Sequence, residues 1–197
     1  MTRIGVLALQ GDFAEHVDIF QRLGIDAREV RHPQELSGLD GLVIPGGEST
    51  TIARLISEFD LLEPLRERAQ NGFPVWGTCA GMIVLAQRAS DLEWPTLDAL
   101  AIAVRRNAFG RQVDSFETDL EVPALGQQAF HAIFIRAPTV EKVDDGVEVL
   151  AKLENGKAVA VRQANALATA FHPELTEDDR FHRYFIDMVR AHKDVQA

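Results

Sequence analysis

The chain has 197 residues, a formal net charge of −10, and 46% hydrophobic against 25% charged residues. That length suits one domain with a substantial core, and the acidity argues against a nucleic-acid or anionic-membrane surface without a local basic patch. The densest basic stretch is the pair Arg105-Arg106, and one cysteine leaves no intramolecular disulfide and no Cys-rich zinc site.

Met1-Thr2-Arg3 leads straight into the apolar run Ile4 to Leu9, which suits a buried parallel strand. No leader or spanning segment is therefore expected, and the cytoplasm is the expected compartment. Gly11-Asp12 opens a helix-period segment with Phe13, Val17, Phe20 and Leu23 on one face, ending near Gly24. Ile25 to Val30 alternates as a second strand; Gly41 to Ile44 is a third and stops at Pro45-Gly46-Gly47. Thr51 to Phe59 and Leu61 to Gln70 read as helices, Pro74 to Trp76 as a strand, and Ala80 to Gln87 as the next helix. Strands and helices alternating at this spacing predict an α/β fold with a doubly wound, mostly parallel sheet.

After Arg88 the rhythm changes. Val147 to Leu153 and Ala158 to Val161 form a hairpin pattern with Asn155-Gly156 at its tip. Leu167 to Phe171 is one more apolar run, closed by His172-Pro173, and Arg180 to Ala191 is an amphipathic helix with Phe181, Phe185, Met188 and Val189 inward. Antiparallel strands are thus added in the C-terminal half. No linker, repeat or low-complexity stretch interrupts residues 1–197, so a single domain is expected.

The chemistry centres on Gly77-Thr78-Cys79-Ala80-Gly81. A strand, a sharp turn carrying a nucleophile and an immediate helix make a nucleophile elbow, and a helix start favours a thiolate. A buried structural cysteine is the plainer reading of the same residue. A cysteine nucleophile needs a base and a group to orient it. Of six histidines, His16, His32, His182 and His192 read as solvated or structural, with His16 on a surface helix. His131 stays open on pattern alone. His172 ends an apolar run at a strand end, where open α/β sheets place their sites, and Glu174 can turn back to hold its tautomer. The loop Pro45-Gly46-Gly47-Glu48-Ser49 follows another strand end and offers backbone N–H groups for an oxyanion. Its plainer reading is a tight turn with Ser49 or Thr50 capping a helix. No phosphate-loop glycine pattern and no metal-ligand spacing is present.

With Gly-Thr-Cys-Ala-Gly, His-Pro-Glu and Pro-Gly-Gly-Glu-Ser-Thr together, the chain resembles class I glutamine amidotransferases. Further stretches are similar to the glutaminase subunits of pyridoxal 5′-phosphate synthases. These are Leu7 to Gly11 with Glu15-His16, Arg106-Asn107 with Phe109 to Gln112, Asp114 to Glu117, Phe134 to Pro138 and Phe171 to Glu177. The resemblance implies a three-layer fold of flavodoxin-like type. It implies that Cys79 attacks the side-chain amide carbon of L-glutamine while His172, oriented by Glu174, moves the proton. Gly46 and Gly47 would form the oxyanion hole, and Gly47, Glu48, Ser49, Arg106, Ile135 and Arg136 would hold glutamine. An arginine fork suits the substrate's α-carboxylate. Gln10-Gly11 would contact a barrel-shaped synthase subunit that receives the ammonia. No cofactor and no metal is implied for this chain, pyridoxal phosphate being the product of the complex. The competing readings are another cysteine enzyme on a similar elbow, such as a peptidase or glyoxalase-type protein, and a non-catalytic binding module, which an intact triad argues against.

Overall fold

The computed structural model describes residues 2–106 and 115–196. In chain order the elements are β1 (Arg3–Leu7), α1 (Phe13–Arg22), β2 (Asp26–Val30), β3 (Gly41–Ile44), α2 (Ser49–Glu58), α3 (Leu62–Gln70), β4 (Val75–Thr78), α4 (Ala80–Leu85), β5 (Ala86–Ser90), β6 (Leu100–Arg105), β7 (Ser115–Leu120), β8 (Phe130–Ile135), β9 (Thr139–Val143), β10 (Glu148–Lys152), β11 (Ala158–Gln163), β12 (Ala166–Thr169) and α5 (Arg180–Gln196). The main sheet has seven strands in the order β10-β11-β12-β4-β3-β1-β2. From β12 to β2 its pairs are parallel, and β10-β11-β12 is antiparallel. β3, β4 and β12 are buried at every residue, as continuous apolar strands covered on both faces must be. A smaller sheet β5-β6-β9 and the hairpin β7-β8 complete the C-terminal half.

The alternation of side chains along β4 separates the layers. Trp76 and Thr78 face α1 and α5, whereas Gly77 faces α4, against which α2 packs. The result is helix, sheet, helix, the α/β architecture expected. β1, β3, β4 and β12 all run the same way, so the segments after them meet along one edge.

Several boundaries differ from the sequence expectation. The helix expected over Ala80–Gln87 ends at Leu85, because Ala86 turns extended (φ −62°, ψ 148°) and starts β5 alongside β6, with Gln87 and Arg88 exposed. α2 starts at Ser49 and is capped by neither Ser49 nor Thr50: the Glu48 carboxylate accepts from the N–H groups of Thr50 (3.0 Å) and Thr51 (2.7 Å). On α1 the buried residues are His16, Ile19 and Phe20, while Phe13, Val17 and Leu23 are only partly covered. Of the two readings open for His16, solvated or structural, the structure selects the structural one.

His16 lies in an aromatic layer between α1, α5 and β4. Trp76 meets His16 edge-on at 5.4 Å and His182 at 5.0 Å, and Phe20 meets His182 at 5.1 Å. Both histidines are fully buried. Burial disfavours their charged forms, holding His16 well below the ordinary histidine range and His182 at about 3.

The glycines flanking Cys79 answer to backbone approach rather than to flexibility. A Cβ on Gly77 would lie 2.4 Å from the Gly81 carbonyl, and one on Gly81 would lie 2.0 Å from the Ile44 carbonyl oxygen. α4 can therefore cross β3 and β4 only at glycine. Cys79 itself is held at φ 48° and ψ −104°, its N–H donating to the Thr169 carbonyl at 2.8 Å.

Two stability outcomes follow from these contacts. Gly81→Ala is expected to lower the urea midpoint by the equivalent of about 1–3 kcal/mol or more, because the clashing atom is backbone and cannot rotate away. The buried histidines give a pH dependence. Both are neutral when folded, whereas the unfolded chain takes up their protons near pH 6.5, so stability is complete above that pH and falls as pH drops toward 3. Denaturation series from pH 7 to pH 4 should show His182→Gln losing stability less steeply than the parent, by about 1.4 kcal/mol per pH unit.

Candidate active site

The strand edge gathers the residues the sequence singled out. Cys79 follows β4, Gly46-Gly47 follow β3, Gln10-Gly11 follow β1 and His172 follows β12. Parallel pairing of β12 with β4 sets Thr169 opposite Thr78, which carries His172 toward the elbow. His172 and Glu174 are nearly buried, and Cys79 is only 6% exposed. Together with Asp12, Gly47, Glu48, Ser49, Ala80, Ile83, Arg106, Ile135 and Arg136, Cys79 and His172 line a cavity of about 520 Å³. That is ample for one small polar molecule.

His172 Nδ1 lies 2.7 Å from Glu174 Oε1 and 3.4 Å from Asp12 Oδ2. Burial works against charge on this imidazole, but hydrogen bonds with Asp12, Cys79 and Glu174 outweigh it and push its pKa up to about 12. For Glu174 the balance runs the other way: burial raises its pKa and the contact with His172 only partly offsets this. With Nδ1 engaged by carboxylates, the other ring nitrogen is the one left for the thiol. The turn Pro173–Leu175 brings Glu174 back to the ring two residues before it in sequence, with Pro173 in the first turn.

Gly46 is pressed against the imidazole, since a Cβ there would meet His172 Cε1 at 2.4 Å. Gln10 and Gly11 brace this loop. The Glu48 N–H donates to Gln10 Oε1 at 2.7 Å, the Asp12 N–H donates to the Gly46 carbonyl at 3.1 Å, and a Cβ on Gly11 would strike that carbonyl oxygen at 1.8 Å. Across the cavity, Arg106 donates to Glu48 Oε1 at 3.1 Å and to the Asp91 carbonyl at 2.5 Å. The end of β8 forms the roof: the Cys79 thiol lies 3.6 Å from the Ile135 carbonyl, Arg136 adopts φ 45°, and the His172 N–H donates to the Ile133 carbonyl at 2.9 Å.

All of the expected site residues thus border one region. Of the stretches that carried the resemblance, Asn107 to Asp114 lie outside the described residues. His131 is exposed and paired with Asp119 at 2.8 Å and Glu117 at 2.9 Å, away from the thiol. Sequence reasoning missed Asp12, Ala80 and Ile83 in the lining, and missed His16, whose Nε2 is 3.4 Å from Glu174 Oε2. Asp12 was legible in principle, being next to Gly11 at a strand end; His16 was not, because its helix offered a more apolar face.

Among the described residues no helix is long and apolar enough to cross a membrane. Comparison with known proteins agrees with the geometry. A model of the SNO glutamine amidotransferase family matches residues 6–191. The chain is 60% identical over 191 residues to "Pyridoxal 5'-phosphate synthase subunit PdxT" of Parafrankia sp., covering 96% of this chain and 94% of that one. It is 56% identical over 187 residues to the protein of the same name from Moorella thermoacetica, covering 95% and 99%. A crystal structure described as a glutamine amidotransferase superposes with a TM-score of 0.89 at 52% identity, covering 94% of this chain and 98% of that one. On a match of this extent, with the elbow and its histidine in place, the chain belongs to the SNO glutamine amidotransferase family.

Proposed function

We propose that this chain is the glutaminase subunit of a pyridoxal 5′-phosphate synthase. It hydrolyses L-glutamine to L-glutamate and ammonia in the cytoplasm, and the ammonia passes to a barrel-shaped synthase subunit. The observation that carries the reading is the strained Cys79 beside a His172 whose Nδ1 is held by Glu174 at 2.7 Å. The names of the relatives support the pathway.

In this reading Cys79, His172 and Glu174 are the catalytic residues. His172, which favours its charged form, holds the proton given up by the Cys79 thiol while the sulfur bonds to the side-chain amide carbon, and the carbonyl oxygen becomes an oxyanion. Backbone N–H groups at Gly46 and Gly47 stabilise that oxygen, in a loop already braced by Gln10 and Gly11. The same proton then goes to the leaving nitrogen, the C–N bond breaks and ammonia departs, leaving a glutamyl thioester. Water attacks the thioester carbon, His172 accepts its proton and returns it to the sulfur, and glutamate is released. A histidine that favours its charged form suits the proton delivery to nitrogen.

Glutamine is held by Gly47, Glu48, Ser49, Arg106, Ile135 and Arg136, all of which line the cavity. Arg106 is the partner for the α-carboxylate: its side chain is 15% exposed and its guanidinium is already held by Glu48 and the Asp91 carbonyl. Gln10 and Gly11 are the contact for the synthase subunit, so docking there would act directly on the loop at Gly46 to Glu48. Neither a metal nor a cofactor takes part in this scheme.

The deciding measurement is glutamate release from glutamine by the chain alone and with a synthase subunit added. Strong stimulation is expected; equal rates would detach the chain from that partner, and no turnover in either case would remove the glutaminase reading. Cys79→Ala is expected to lower turnover by about 1,000-fold or more while leaving docking intact. Arg106→Ala should raise the glutamine KM by about tenfold or more and change kcat less, as loss of a charge-assisted contact to a non-reacting group does. An unchanged KM would remove Arg106 from the carboxylate site.

A further inference from the structure

Behind the triad, on the side away from the cavity, α1 and α5 bring a pair of buried histidines toward the catalytic carboxylate. Glu174 uses Oε1 for His172, while its Oε2 is buried and has no hydrogen-bond partner at ordinary geometry. His16 Nε2, from α1, lies 3.4 Å from that oxygen and 3.3 Å from Thr78 Oγ1. His16 Nδ1 lies 3.0 Å from His182 Nε2, from α5. The remaining atom, His182 Nδ1, is buried without a partner.

The network has only one economical proton arrangement. A carboxylate oxygen only accepts, so His16 Nε2 must carry the proton facing it. His16 Nδ1 is then an acceptor and takes the Nε2–H of His182, which leaves His182 Nδ1 as a bare lone pair. The reverse arrangement would aim a nitrogen lone pair at a carboxylate oxygen and bury an unpaired N–H on His182. His182 Nδ1 is unpaired in either arrangement, at about 1–3 kcal/mol each way, so the repulsion between a nitrogen lone pair and Glu174 Oε2 decides for the first. Both rings are neutral, as their burial also requires.

We propose that His16 is a positioning residue of the site: its Nε2–H, locked in that tautomer by His182, holds the Glu174 carboxylate in the orientation that holds His172. The proposal rests on the glutaminase reading. Its logic is that of the outer groups that orient the ligands of a metal site, whose loss typically costs about 10- to 100-fold in affinity or activity. Glu174 is a buried group whose charge is opposed by burial, so a neutral donor on its second oxygen favours the ionised form without adding a competing cation. The ionisable groups facing Glu174 are His172 and Asp12 on the cavity side and His16 with His182 behind. Asp179 and Arg22 flank His182, and Glu15 and Asp18 with Arg22 border the surface pocket that reaches Glu174.

The test compares the parent, His16→Gln and His16→Phe as complexes with the synthase subunit, following glutamine hydrolysis against pH. A glutamine side chain offers an amide N–H to Glu174 and an amide oxygen to His182, whereas phenylalanine offers neither. His16→Phe is expected to lose about 10-fold or more in kcat with KM changed less than about twofold, and to shift the acid limb of kcat/KM to higher pH. His16→Gln should restore most of the rate and the parental acid limb. A parental profile in His16→Phe would overturn the proposal, as would equal losses in both variants. A parent inert with and without the synthase subunit would instead overturn the glutaminase reading on which it rests. Imidazole ¹⁵N resonances of the parent at pH 7 decide the tautomer without any turnover. Protonation of His16 at Nε2 is expected, and protonation at Nδ1 would overturn the proposal.

Discussion

Glu174 is a carboxylate whose side chain has no exposed surface, and a charge in that position is tolerable only when bonded. Its partner His172 is equally constrained, because the same ring is pressed by Gly46 and followed by a proline. The pair therefore acts as a rivet between the end of β12, the loop after β3 and the turn Pro173–Leu175. Parallel pairing of β12 beside β4 does the rest. Cys79 N–H is bonded to the Thr169 carbonyl, so the thiol and the imidazole are registered through the sheet itself. The strain at Cys79 is sustained by that bond and by one glycine on each side of it, Gly77 and Gly81.

The sheet edge supplies the chemistry, and the C-terminal additions supply the enclosure. β8 reaches over the elbow so that Ile135 and Arg136 roof the cavity, and β6 ends at the residue before Arg106. Arg106 in turn holds the same Glu48 that caps α2. One carboxylate thus links a helix start, an arginine and the loop at Gly46 and Gly47. Disturbing Gln10, which accepts from the Glu48 N–H, would reach all of these through a single peptide. This is why the proposed partner contact and the proposed oxyanion loop are mechanically one unit.

The layered fold and the thiol–imidazole–carboxylate trio were legible because each rests on a short-range pattern. Apolar runs ending at glycine or proline mark parallel strands, and Gly77 and Gly81 mark a crossing too close for a Cβ. What was not legible depended on partners far away in sequence. β5 follows α4 without a break, and only pairing with β6 tells an extended Ala86 from a continued helix. Ser49 and Thr50 are better cap residues than glutamate by propensity, yet Glu48 caps α2 from a position that Gln10 and Arg106 fix. The sequence pattern reads His16 as solvated or structural, because Phe13, Val17, Phe20 and Leu23 form a plausible apolar face. The actual face is chosen by Trp76 and His182, both more than 50 positions along the chain.

The distribution of charge around the cavity argues for an amino-acid substrate over a simple acid or amide. Arg106 and Arg136 stand on its wall together with Glu48 and Asp12, so fixed charges of both signs face the same small volume. A substrate with one ionic group would leave one set of these charges unmatched as water is expelled, which is unfavourable for partly buried groups. A zwitterion carrying an α-carboxylate and an α-ammonium matches both. The thiol at the floor then meets whatever the side chain extends toward it. Glu174 and Asp12 flank the histidine beside that thiol on its Nδ1, and the ring favours its charged form, so a side-chain amide there meets a group able to deliver a proton to its nitrogen.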